Sequence, residues 1–89
     1  MSLFYSAKHG RSVVNCAIEY VLDPLNPEEG FQGVIENISE SGFCLLTSQA
    51  LDIGQEITIK SLLYLPSSAA RVCWVKTEEK GYRAGLEFI

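Results

Sequence analysis

Short runs of alternating apolar and polar residues, each closed by turn chemistry, constrain this chain more than any other feature. The clearest is Glu56-Ile57-Thr58-Ile59-Lys60, where Ile57 and Ile59 share an inward face. Tyr82, Ala84, Leu86 and Phe88 alternate in the same way against Arg83, Gly85 and Glu87. Cys16, Ile18, Tyr20 and Leu22 do so against Asn15, Ala17 and Glu19, within a strand expected from Ser12 to Leu22. A period of two marks a strand with one buried face. Further strands are expected over about Phe31 to Ile38, Gly42 to Thr47 and Ala70 to Val75, with Val72 and Trp74 on one face. Trp74 is read there as core or barrel-end packing. The run Leu62-Leu63-Tyr64-Leu65 is expected to extend the fourth strand until Pro66 ends its pairing.

The connections carry their own signals. Asp23-Pro24-Leu25-Asn26-Pro27-Glu28-Glu29-Gly30 holds two prolines that deny it ladder hydrogen bonds, and Glu78-Glu79-Lys80-Gly81 reads as a hairpin turn. The count is six short strands with little or no helix. The 89 residues allow one domain with one modest core. Six strands around one small core favour an all-β, six-stranded antiparallel barrel, because closure removes exposed edges. Residues 1–11 lack sustained periodicity and are expected to form an arm, with the barrel over residues 12–89.

Composition excludes several functions. A formal net charge of −4 argues against a DNA- or RNA-binding protein, which needs a basic footprint to neutralise phosphates. Lys8, His9 and Arg11 nevertheless crowd together, and a small anion needs only a local basic cluster. No apolar run approaches the length of a spanning helix and no signal-peptide pattern opens the chain, so a cytoplasmic protein without membrane insertion is expected. The three cysteines, Cys16, Cys44 and Cys73, lie far apart in apolar runs and are read as core or near-core thiols. The one histidine stands without a glycine-rich phosphate loop, clustered carboxylates or metal-ligand spacing. No catalytic residue, metal or resident cofactor is therefore expected.

One polar stretch interrupts this pattern: Asn37-Ile38-Ser39-Glu40-Ser41-Gly42. In extended backbone Asn37 and Ser39 point to the same face, and Gly42 allows a turn or a close approach. A hairpin turn and a ligand site both fit those residue types.

The flanks resemble a known family. Lys8-His9-Gly10-Arg11 precedes the first strand, and Gly33-Val34-Ile35-Glu36 leads into Asn-x-Ser-x-x-Gly. Arg71-Val72-Cys73-Trp74-Val75 and Tyr82-Arg83-Ala84-Gly85-Leu86-Glu87-Phe88 close the chain. In that order these segments resemble the PilZ domain, a bacterial six-stranded split barrel that serves as a receptor for cyclic di-GMP. The resemblance spans about residues 7 to 88. It implies that Arg11 and Lys8 on the arm fold over the nucleotide while Asn37 and Ser39 offer hydrogen bonds and Gly42 gives clearance. It also implies that ligand occupancy is reported to a protein partner or a fused domain. Many relatives carry a C-terminal helix after the last strand, where this chain stops at Ile89, and an uncovered barrel end would favour a homodimer.

The family's Arg-x-x-x-Arg pattern is incomplete. With its second arginine on Arg11, the first falls on Ala7, and Lys8 is the nearest cation. A hydrogen bond to a charged group contributes about 1.5–3 kcal/mol, so its loss weakens binding by about one to two decades. A lysine cannot restore the planar bidentate contact. Two functions are therefore implied: a cyclic di-GMP receptor of reduced affinity, or a degenerate domain that binds protein partners alone.

Overall fold

A computed structural model describes residues 12–60 and 65–89. The strands are β1 (Ser12–Val21), β2 (Gly30–Ile38), β3 (Gly42–Thr47), β4 (Glu56–Lys60), β5 (Ala69–Glu78) and β6 (Gly81–Phe88). They pair antiparallel and close into a barrel in the order β1-β2-β3-β6-β5-β4. The fold is all-β, as the alternation predicts. The expected arm and most of the expected Leu62–Leu65 extension lie outside the described residues.

Ile57, Ile59, Ala84 and Leu86 face inward as alternation marks, whereas β2 and β3, apolar on both faces in places, are oriented only by the pairing. Ile18, Tyr20, Ile35, Ile38, Phe43, Leu45, Ile57, Ile59, Ala84 and Leu86 form one buried cluster. Within it the Tyr20 hydroxyl lies 2.6 Å from Thr47 Oγ1. Thr47 Oγ1 in turn donates to the Gln32 carbonyl at 3.3 Å and accepts the Gln49 amide at 3.1 Å. Since the single threonine proton goes to Gln32, the Tyr20 hydroxyl is the donor to Thr47, and both buried hydroxyls are satisfied.

β5 runs three residues beyond its expected end. Glu78 pairs with Gly81 across a two-residue loop, which keeps Lys76 and Thr77 on the ladder opposite Arg83 and Tyr82.

Three register breaks fall at one level of the barrel. Val14 and Asn15 of β1 stand opposite the single residue Glu36, and Asn15 takes a left-handed φ of 46°. Glu36 lacks a ladder partner on β3, and Cys73 lacks one on β6. An extra residue on one strand reverses the alternation beyond it. That corrects two expectations. Val72 is buried at 1% exposure but Trp74 does not share its face: it is 44% exposed. Cys73, expected near the core, is exposed, whereas Cys44 is buried and Cys16 half-buried.

Candidate functional site

The bulges assemble an outward row that crosses five strands. The ladder sets Val13 opposite Asn37, Asn37 opposite Cys44, Cys44 opposite Gly85, and Gly85 opposite Trp74. Directly opposed residues share a face. The next row, Ile38, Phe43 and Leu86, is buried in the core, so this row faces outward. It carries the motif asparagine next to Val13, the buried Cys44 at its centre and the only tryptophan of the chain at the other end. Gly85 makes the row continuous, because the Trp74 indole lies over it: a β-carbon there would stand 2.7 Å from Cδ1 and closer still to Nε1.

The turn between β2 and β3 borders this row. Ser39 follows the end of β2, so the extended backbone that would set it beside Asn37 stops before it. Its hydroxyl is turned into the loop instead and is only 8% exposed. It accepts the amides of Ser41 and Gly42, each at 3.3 Å, and meets the Ser41 hydroxyl at 3.0 Å. The Ser39 amide donates to the Gly42 carbonyl at 2.8 Å, closing the turn. Gly42 is needed for packing: a β-carbon would run into the Leu86 carbonyl oxygen, with Glu87 Cα at 3.1 Å. The clearance at Gly42 is thus taken by the backbone of β6.

Ser41, Gly42, Trp74 and Gly85 line a shallow hollow of about 440 Å3 on this surface. Among the described residues, the nearby guanidinium groups are already committed. Arg83 pairs with Glu36 and with Glu78, the latter at 3.1 Å from Nε. The hydrogen bond to Glu78, more than the Coulombic pull of Glu36, raises the Arg83 guanidinium above its ordinary value. Arg71 bridges Glu87 at 3.4 Å and Glu56 at 3.5 Å. The described part of the surface therefore offers an aromatic plane, an amide and a rigid turn, with its guanidinium charge neutralised.

The structure accordingly brings Asn37 and Gly42 to one region and uses Ser39 to hold the turn there. Arg11 and Lys8 lie outside the described residues. Trp74 is the residue that sequence reasoning missed. Its alternation with Val72 pointed inward, and the register break at Cys73 that turns it outward leaves no mark in the sequence. Among the described residues no group of three His, Cys, Asp or Glu side chains is placed to hold a metal ion.

Comparison with known proteins agrees with the topology. No curated protein sequence matches the chain significantly. The family model of the PilZ domain matches residues 6–89, nearly the whole length, and takes in the basic cluster, the motif turn and the closing strands. Domains of this family are in general cyclic di-GMP-binding and adaptor modules rather than enzymes. By that match, and by a six-stranded barrel with Asn-x-Ser-x-x-Gly at its β2–β3 turn, the chain belongs to the PilZ domain family.

Proposed function

We propose that this domain is a cyclic di-GMP receptor that reports ligand occupancy to a protein partner. The observation that carries the reading is the outward row joining Asn37 to Trp74 beside the motif turn. A guanine laid over Gly85 would stack on the exposed indole, as bases do on aromatic side chains, and the Asn37 amide, two strands from Gly85 along the row, would meet another part of the nucleotide. Ser39 and Gly42 act chiefly by fixing the turn. Arg71 and Arg83 are held by carboxylates, and the charge that meets the phosphates is assigned to Arg11 and Lys8, as the family pattern implies.

A second reading has support of its own. Ala7 stands where relatives carry an arginine, and the Ser39 hydroxyl is already engaged by the turn. Both favour a degenerate domain that has kept the barrel and lost the nucleotide. Titration calorimetry with cyclic di-GMP separates the two. Saturable binding that is lost in Arg11→Ala and in Asn37→Ala establishes the receptor. No heat from the natural chain, with binding gained in Ala7→Arg, establishes the degenerate domain.

A further inference from the structure

A second surface adjoins the nucleotide row without sharing its residues. Ala17, Val34 and Leu46 stand opposite one another on β1, β2 and β3. They form an outward apolar row in which Ala17 is exposed and the other two are half-buried. This row is the floor of an open groove of about 990 Å3, which runs on past Tyr82 to the β5–β6 hairpin. Apolar side chains on an outward barrel row, where polar residues normally stand, mark a contact surface.

The rim charges restrict what fits. At one end Glu19 and Lys60 pair with each other at 3.9 Å. At the other, Glu78 is held by Arg83. Lys80 is exposed on the same hairpin and, among the described residues, has no ion-pair partner. The groove thus has an apolar floor, a neutral end and a single uncompensated positive charge at its far end. Crossing from β1 to β6 spans three strand spacings, about 14 Å, or about ten residues of helix.

We propose that this groove docks an amphipathic helix of a partner protein, with apolar side chains at i, i+4 and i+7 on the Ala17–Val34–Leu46 floor and an acidic side chain at Lys80. The inference deepens the adaptor reading by giving the partner a site, and it rests on that reading. Helix-in-groove recognition works by such spaced anchors, and the terminal charge fixes direction more than affinity.

The test uses nucleotide-free protein and two fluorescein-labelled helical peptides of about fourteen residues, both with leucines at i, i+4 and i+7. One ends in glutamate and the other in lysine at the hairpin end. Anisotropy and amide chemical shifts should show saturable binding of the glutamate peptide, with perturbations at Ala17, Val34 and Leu46. Leu46→Glu should weaken it by about tenfold or more. The exposed variant Lys80→Glu should reverse the preference between the peptides, by about threefold, and serves alone if Leu46→Glu fails to fold. Absence of saturable binding, perturbations elsewhere, or an unchanged preference in Lys80→Glu overturns the proposal. Self-association of the free domain abolished by Leu46→Glu also overturns it, because the occupant is then a second copy. Cyclic di-GMP calorimetry on the same samples reads the receptor function independently, so loss of either result leaves the other standing.

Discussion

The Trp74 indole occupies the space over Gly85 that the β-carbon of any other residue would take. This cross-strand contact holds the only tryptophan of the chain against the barrel while leaving 44% of it exposed. Gly85→Ala should therefore move the indole rather than the backbone, since the colliding atoms belong to an exposed side chain. Tryptophan emission should shift to the red and acrylamide quenching should increase, with cooperative unfolding retained. Unchanged emission would refute the contact.

Trp74 should matter more to ligand than to fold. Base–aromatic stacking contributes about 1–3 kcal/mol per base, so Trp74→Ala should weaken cyclic di-GMP binding by about tenfold or more. The melting temperature should move little, as expected for a surface position. Trp74→Phe should keep most of the affinity. Equal affinity in the alanine variant, by calorimetry, removes Trp74 from the site.

The motif turn should respond in the opposite sense. Ser39→Ala deprives two backbone amides of their acceptor and should cost about 1 kcal/mol of stability. Gly42→Ala meets β6 backbone that cannot rotate away, and should cost about 2 kcal/mol or more. Urea denaturation measures both. A Ser39→Ala domain as stable as the natural one would show that the hydroxyl does not hold the turn.

These contrasts mark where the sequence was informative. Alternation located the strands well because Ile57 and Ile59, or Ala84 and Leu86, sit in regular ladder where parity fixes the face. It failed at Trp74 and Cys73, because one unpaired residue on β5 reverses parity and leaves no trace in composition. It failed at Ser39 for a related reason: β2 ends at Ile38, and no side chain announces where an extended backbone begins to turn. Asn37 was legible as a polar residue in an apolar strand. Its neighbours across the row were not, since Gly85 and Trp74 lie far away in sequence and only the closed register brings them together. The apolar floor of the groove was hidden for the same reason. β2 and β3 are apolar on both faces in places, so parity gives Val34 and Leu46 no direction until the pairing places them in line with exposed Ala17.

The buried Tyr20–Thr47 pair gives a pH signature. Burial raises the Tyr20 phenol above its ordinary value of 10.0. The unfolded chain therefore ionises this tyrosine at lower pH than the barrel does. The Tyr20 contribution is complete below pH 10 and is lost as pH rises through the folded value. The chain has four tyrosines, so total alkaline unfolding would not isolate this one. The difference between the natural domain and Tyr20→Phe does. At neutral pH the variant should be about 1 kcal/mol less stable, having lost one buried hydrogen bond while Thr47 keeps Gln32 and Gln49. Above pH 10 that gap should narrow, because only the natural chain has this phenolate to gain on unfolding. Urea midpoints for both proteins, taken across the alkaline range, check the sign. A gap that stays constant or widens with pH would mean that burial does not raise the Tyr20 phenol.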